Sequence, residues 1–424
     1  MNDNSTIVMK FGGTSVADAD RIKRAAQRIV AKREEGKRVV AVLSARGQTT
    51  DELIAMAAEV SDHPDPREMD MLLSTGERIS CALCAMAIND LGHRALSLTG
   101  SQAGIMTDTS HTKARIIDVR GDRIREALDE GRIVLVAGFQ GVSSVSRDVT
   151  TLGRGGSDTS AVAVAAAIGA EMCEIYTDVA GVYTADPRIV PDARKLVQVS
   201  FNEMLEMAAS GAKVLQLRAV EYARAHGVRL HCRSSFSDAP GTVVLGEDET
   251  MEQPLITAVT HSIEEARITL LGVPDRPGAA AAIFGALADA NCNVDTIIQN
   301  EPLEEGRQAE VSFTVSSEDL ADAERTLALL RDQLGIAAID TDSAIGKVSI
   351  VGAGMRSHPG VAATVFRTLA EEGINIEMIS TSPIKITCVI RSEDVPPAVR
   401  SLHAAFELGE SEIRQERPIG QEAR

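Results

Sequence analysis

Short apolar runs and longer amphipathic stretches alternate along the N-terminal part of the chain. The apolar runs are Thr6–Phe11, Arg38–Ser44, Ala95–Thr99, Ile133–Ala137, Glu174–Thr177 and Val228–Cys232. Several are apolar almost throughout, as strands are when helices cover both faces of a parallel sheet. Between them, apolar residues recur at helical spacing over Ala19–Glu35, Thr50–Ala58, Ser74–Leu91, Arg115–Glu130, Thr159–Ala167, Phe201–Ala209 and Leu215–His226. The order predicts an α/β domain with a mainly parallel sheet, whose ligands sit at the carboxyl ends of the strands.

The pattern changes after an acidic, polar stretch from Leu245 to Gln253 that ends near Pro254 and reads as a linker. Beyond this linker the chain carries one pattern twice. Ile268–Gly272 leads to Pro277-Gly278, then Phe284, Leu287, Ala288, Asn293 and Asp295. Val348–Gly352 leads to Pro359-Gly360, then Phe366, Leu369, Ala370, Asn375 and Glu377. Each copy reads as a small β-α-β-β-α-β unit of ferredoxin-like type. Two copies are too few for a solenoid, so paired units sharing one sheet are expected.

At 424 residues the chain is long enough for roughly two to four domains. Aromatics are 3% of the chain and Trp is absent, so the cores must be built from Ala, Val, Ile and Leu. There is little material for stacking on nucleic-acid bases. A net charge of −18 also argues against binding a phosphate backbone, and no nucleic-acid partner is expected. No secretory signal is visible and no apolar run approaches the roughly 18 residues of a membrane span, so the expectation is a cytoplasmic protein without a membrane partner. The six cysteines read as buried free thiols, with Cys81 and Cys84 in a helix core rather than on a metal, and no metal site of the protein's own is expected.

Against this acidic background, cations beside glycine loops gain weight. Thr150–Thr159 (TTLGRGGSDT) places Gly153, Gly155 and Gly156 around Arg154, just before an Ala-rich helix. The glycines let backbone N–H groups approach an oxyanion, Ser157 or Asp158 heads a helix whose N-terminus favours anions, and Arg154 supplies a planar fork. Lys10-Phe11-Gly12-Gly13-Thr14-Ser15 closes the first strand, with Lys10 reaching toward a second glycine-opened helix start. Ser44 ends the second strand, and Thr49-Thr50-Asp51 follows a glycine at 47, with Thr50 or Asp51 as a helix cap or these residues as ligands. Glu77 heads a helix, as a dipole partner or in a binding role. Thr177–Arg188 leaves a strand as a long turn, and Lys213 precedes an apolar helix.

Taken together, K-F-G-G-T-S, S-A-x-G-x-T-T at 44–50, G-E-R at 76–78, the T-T-L-G-R-G-G-S-D-T run, T-D-V-x-G-V-Y-T-A-D-P-R and the paired repeats resemble the aspartate kinases of the amino-acid kinase superfamily, over nearly the whole chain. The resemblance implies a three-layer α-β-α kinase domain over 1–245, a linker and first regulatory strand over 246–266, and two ferredoxin-like ACT domains over 267–343 and 347–424. It implies phosphorylation of L-aspartate by ATP, with Mg²⁺ carried on the nucleotide. Lys10 and the N–H groups of Gly12 and Gly13 would stabilise the transferring phosphoryl group, and Asp158 would orient Lys10. Arg154 would clamp a substrate carboxylate and Glu77 its ammonium, with Ser44, Thr49, Thr50, Gly155, Gly156 and Ser157 completing the aspartate pocket. The nucleotide would be held by Lys10, Phe11, Gly12, Gly13, Ser44, Thr177, Asp178, Tyr183, Thr184, Ala185, Asp186, Pro187, Arg188 and Lys213. Arg46 stands where the family often has Met.

By the same resemblance, lysine, threonine or both would regulate the enzyme through the paired repeats, at Asp275, Ala280, Asn293, Val294, Asp295, Gln299, Val361, Ala362, Asn375, Ile376, Ser382 and Pro383. Ala362 replaces a hydroxyl residue and Pro383 an acidic one, which weakens the case for a cationic effector side chain there. Homo-oligomers through the repeats are implied, and an internal start at Met251 would permit an α2β2 assembly. The alternatives are another member of the superfamily, such as a glutamate, acetylglutamate or uridylate kinase, and an ACT-based amino-acid sensor with a weak kinase domain. The intact set Lys10, Glu77, Arg154 and Asp158 argues against the sensor.

Overall fold

The structure, a computed structural model, describes residues 5–246, 255–300, 309–358 and 360–409. Met251, Pro254, Pro359 and most of the linker lie outside the described residues. The chain divides into two compact units, Met1–Val182 with Lys195–Gln253, and Tyr183–Arg194 with Pro254–Arg424.

The strands of the first unit are β1 (Thr6–Phe11), β2 (Arg38–Leu43), β3 (Ala95–Leu98), β4 (Ile105–Thr107), β5 (Ile116–Val119), β6 (Ile133–Ala137), β7 (Gln140–Ser143), β8 (Val149–Thr151), β9 (Met172–Thr177), β10 (Gln198–Ser200), β11 (Leu230–Ser234) and β12 (Thr242–Leu245). Its helices are α1 (Ala19–Glu34), α2 (Thr49–Val60), α3 (Pro66–Leu73), α4 (Thr75–Asp90), α5 (Asp122–Asp129), α6 (Gly156–Ile168), α7 (Phe201–Ala209) and α8 (Leu217–His226). Eight strands form one sheet in the order β10-β12-β11-β9-β1-β2-β6-β3. Every pairing in it is parallel except β11 with β12.

Strand alternation sorts the side chains of β1 between two layers. Ile7, Met9 and Phe11 join Ile22, Ala25, Ala26 and Ile29 of α1 and Cys81, Cys84 and Ile88 of α4 in one core. Lys10 falls on the opposite face, where α6 packs against β1. All six cysteines are buried thiols outside any disulfide, and burial pushes the Cys84 thiol up to about 12.

Two features differ from the expected pattern. The helix expected over 115–130 starts only at Asp122, because Ile116, Ile117 and Val119 are β-branched and form β5, and Gly121 turns the chain at φ 66°. β5 belongs to a four-stranded sheet, β5-β4-β7-β8, that the periodicity did not show. Separately, Pro66–Asp90 has the length and composition of a membrane span, but it is divided at Ser74 into α3 and α4, is half buried, and buries Asp70 and Glu77.

The second unit contains β13 (Ala258–Val273), α9 (Ala279–Asp289), β14 (Val294–Asn300), β15 (Ala309–Ser316), α10 (Leu320–Leu334), β16 (Ala338–Val351), α11 (Val361–Glu371), β17 (Met378–Ser382), β18 (Lys385–Arg391) and α12 (Val395–Ala405). The two repeats share one six-stranded sheet, β14-β15-β13-β16-β18-β17. The long strands β13 and β16 each serve both copies. Ala258–Ser262 pairs with Val351–Lys347, so the second repeat takes its fourth strand from the segment before the first repeat. Helices α9 and α11 start after matched left-handed glycines, Gly278 and Gly360.

The repeat extends to charges. Arg267 precedes Ile268 as Lys347 precedes Val348, and Asp295 matches Glu377. Arg267 Nη1 lies 2.5 Å from Glu377 Oε2, and Lys347 Nζ lies 2.5 Å from Asp295 Oδ2. Each copy thus lends a cation to the other copy's acid.

Candidate active site

Asp158 lies in the first turn of α6, and its Oδ1 is 2.6 Å from Lys10 Nζ. Both side chains are largely buried, at 11% exposed for Lys10 and 8% for Asp158. A Cβ on Gly12 would come within 3.5 Å of Lys10 Nζ, so the ammonium hangs directly over the glycine loop.

Three loops that are distant in sequence are knitted together around it. A Cβ on Gly13 would lie 2.9 Å from the carbonyl oxygen of Ala45, closer than real Cβ contacts come, so only glycine fits. The Gly47 N–H donates to the Gly13 carbonyl at 3.0 Å. The Ala45 N–H donates to Glu77 Oε1 at 3.2 Å, and a Cβ on Gly76 would meet Ala45 Cβ at 2.8 Å and Thr49 Cγ2 at 3.6 Å. Ala45 therefore joins the Gly12-Gly13 turn to Glu77 through its own backbone. On the α6 side, Gly138 packs against Ser157 and Val42.

Glu77 is 3% exposed, and burial pushes its carboxyl up to about 7. Its Oε2 has no hydrogen-bond partner among the described residues. A buried, half-satisfied carboxylate is costly unless a cation arrives to pair with it.

The glycine–arginine loop enters α6 through Gly155 at φ 71°, where a Cβ would overlap the Gln216 side chain. Arg154 is exposed, while Gly156, Ser157 and Asp158 are buried. The arrangement offers a helix N-terminus, a lysine held by a carboxylate, an exposed guanidinium and a carboxylate open to an ammonium. That set suits a zwitterion beside a transferring anion.

The Amino acid kinase family model matches residues 5–234, and ACT domain models match 267–335 and 348–406. The aspartokinase of Mycolicibacterium smegmatis is 57% identical over 405 residues, covering 95% of this chain and 96% of the relative. That of Corynebacterium glutamicum is 54% identical over 405 residues, covering 95% and 96%. The chain belongs to the aspartokinase family. Among solved structures, E. coli aspartokinase III in complex with aspartate and ADP superposes with a TM-score of 0.82 at 27% identity, over 94% of this chain and 99% of that one. As a member of this family the chain is an ATP-using phosphotransferase.

Single residues of the motifs have the following places in this framework. The Gly12 N–H already donates to the Tyr176 carbonyl at 3.2 Å, so it holds the loop in place instead of facing a phosphate. Gly13 opens a 3₁₀ turn, Gly13–Val16, whose first N–H groups have no partner inside the turn. Thr177 and Asp178 sit at the carboxyl end of β9, with Thr177 Oγ1 donating to Asp178 Oδ1 at 3.0 Å.

Tyr183, Thr184, Ala185, Asp186, Pro187 and Arg188 belong to the second compact unit. Thr184 is fully buried there. Its Oγ1 lies 2.9 Å from His403 Nε2 and donates to the Leu408 carbonyl. Ala185 joins the same core. These two side chains are engaged in packing within that unit. Asp186 is held below the usual carboxylate range by the Arg188 guanidinium.

In the repeats, Asp275, Ala280, Asn293, Asp295, Gln299, Asn375 and Pro383 are exposed, and Val294, Ala362, Ile376 and Ser382 are half-buried. Val361 is buried in the core. Asp295, expected to hold an effector ammonium, is paired with Lys347.

Several residues escaped sequence reasoning. Tyr176 stacks on Phe11 at 4.8 Å, and its OH donates to the buried Glu174. Asp70, His111 and Arg218 brace the glycine–arginine loop. Asp70 carried a readable signal, a carboxylate inside the apolar run Met69–Leu73.

Proposed function

We propose that the chain transfers the γ-phosphoryl group of ATP to the side-chain carboxylate of L-aspartate, giving 4-phospho-L-aspartate and ADP. The observation that carries this reading is the junction at Ala45, which ties the Gly12-Gly13 turn under Lys10 to the half-satisfied carboxylate of Glu77. Glu77 Oε2 takes the substrate ammonium and Arg154 a substrate carboxylate. Ser44, Thr49, Thr50, Gly155, Gly156 and Ser157 line the substrate. The attacking carboxylate is already ionised at neutral pH, so no strong base is needed. Lys10, held by Asp158, neutralises charge that develops on the transferring phosphoryl group. Thr177, Asp178 and Lys213 face the nucleotide.

The donors around the loop, a lysine and backbone N–H groups, suit a nucleotide that brings Mg²⁺ on its phosphates. Bound there, the ion would supply charge neutralisation to the transferring phosphoryl group. ADP release that requires L-aspartate and is not supported by L-glutamate tests the assignment. Equal rates with both acids would refute it.

We assign feedback by lysine, threonine or both to the repeats, in a cytoplasmic enzyme at the head of lysine, threonine and methionine synthesis. Support comes from the exposed effector-position residues and from the solved E. coli aspartokinase III in complex with lysine and aspartate, a relative of 27% identity and TM-score 0.72. Exposed Ile297 and Ile379, at matched positions on the edge strands β14 and β17, favour a homo-oligomer built on the repeats. An α2β2 form started at Met251 belongs to the same reading. Titrating lysine, threonine and their mixture into the assay separates the effectors.

A further inference from the structure

Asp70 has no exposed surface, yet among the described residues the hydrogen bonds to its carboxylate come from the segments that support Arg154. Thr151 Oγ1, at the end of β8, donates to Asp70 Oδ1 at 2.5 Å. The Thr112 N–H reaches Oδ1 at 3.1 Å and Oδ2 at 3.2 Å, and His111 Nδ1 lies 2.6 Å from Oδ2. Thr112 has φ 63°, a conformation that a β-branched residue adopts only at a cost. Strain of this kind persists where the surroundings over-determine it, and it gathers at functional sites.

The strained residue forms the floor of the glycine–arginine loop. A Cβ on Gly153 would lie 3.2 Å from the Thr112 carbonyl. The Ala114 N–H donates to the Thr151 carbonyl at 2.9 Å. From the other side Arg218 donates to the Leu152 carbonyl at 2.8 Å and to the Ala114 carbonyl at 3.0 Å. Thr151, Leu152 and Gly153 are therefore all fixed immediately before Arg154, and α6 starts just after it.

We propose that Asp70 is a positioning residue for the aspartate site. Through Thr151 and Thr112 it sets the place of Leu152–Arg154, and with it the affinity for the substrate carboxylate. The proposal rests on the reading of Arg154 as the carboxylate clamp. A clamp held in place before binding loses less freedom when substrate arrives, which is the advantage of preorganisation.

The test is steady-state kinetics on the full chain with Thr151→Val, Thr151→Ser, Asp70→Asn and Arg154→Ala. Thr151→Val keeps the shape but removes the donor to Asp70. It should raise KM for aspartate about tenfold, with KM for ATP within about twofold, as expected for loss of one hydrogen bond to a charged group. Thr151→Ser restores the hydroxyl and should recover most of the affinity. Asp70→Asn should move KM in the same direction as Thr151→Val. If it fails to fold, the Thr151 pair carries the test alone. A Thr151→Val enzyme with a lowered Tm but unchanged KM for aspartate, while Arg154→Ala raises that KM, would show Asp70 to be structural only and overturn the proposal. An Arg154→Ala enzyme with unchanged KM for aspartate would overturn the clamp reading itself, and the proposal with it.

Discussion

Lys10 Nζ and Asp158 Oδ1 stand 2.6 Å apart, joining the end of the central strand β1 to the first turn of α6. The contact follows from strand alternation, which turns Lys10 away from the α1–α4 core and toward α6. Lys10→Ala should lower kcat by at least about a hundredfold, the usual cost of losing a preorganised charge partner to a transferring group. Asp158→Asn should lower kcat less, because the ammonium survives but loses its alignment. A Lys10→Ala enzyme with near-normal kcat would remove Lys10 from the phosphate site.

Glu77 makes a pH-dependent prediction in two parts. Its carboxyl is pushed by burial from an ordinary 4.5 to about 7 in the folded chain. Below pH 4.5 both folded and unfolded chains hold the proton and nothing is lost. As pH rises toward 7 the unfolded chain releases its proton first, so stability falls, by about 3 kcal/mol in total. Glu77→Gln removes this penalty. Its urea midpoint should exceed that of the natural chain at about pH 8 and match it near pH 4, while its KM for aspartate should rise. A variant less stable than the natural chain at the higher pH would contradict the buried-charge account.

The contact between Gly13 and Ala45 leaves no room for a methyl group. Gly13→Ala should destabilise the fold by about 1–3 kcal/mol, as overpacking does, and lower kcat because two site loops must part. Gly155→Ala meets the Gln216 side chain and a left-handed backbone together. Gln216→Ala in the same chain should relieve the clash but not the backbone cost, giving partial recovery of Tm.

Lys347 is 3% exposed and faces both Asp295 and Glu265. Burial raises the Glu265 carboxyl above its ordinary value even with Lys347 beside it. Lys347→Met leaves Glu265 buried without its cation and should cost about 3 kcal/mol at about pH 8. Near pH 4, where Glu265 takes up a proton more readily in the folded chain, the loss should be smaller. Urea unfolding at the two pH values checks this. An equal loss at both would mean that packing of the Lys347 stem, rather than its charge, carries the effect.

Much of the fold was legible because helix and strand periods are local. β1, β6 and α7 occur where the pattern of apolar residues puts them. The helix at 115–130 was misread because Ile116–Val119 pairs with β4, a neighbour that periodicity cannot reveal. The shared sheet of the repeats was legible from their spacing, whereas the exchange of β13 and β16 between copies was not, since pairing register is a long-range property. At the site, the glycines and charges of the motifs announced themselves. Gly12 did not reveal that its N–H is taken by Tyr176, and Thr184 and Ala185 did not reveal their core packing. Asp70 and Arg218 act through backbone groups of other segments, and such partners carry no motif.

Phosphoryl transfer to the side-chain carboxylate of L-aspartate at the Lys10–Asp158 site would leave an acyl phosphate that hydroxylamine can trap. The most direct measurement is trapping of the acyl phosphate with hydroxylamine, followed by mass identification of the hydroxamate. The expected product is the side-chain hydroxamate of aspartate, formed only with ATP and L-aspartate and lost in Lys10→Ala. Absence of hydroxamate from an enzyme that still releases ADP, or equal formation with L-glutamate, would contradict it.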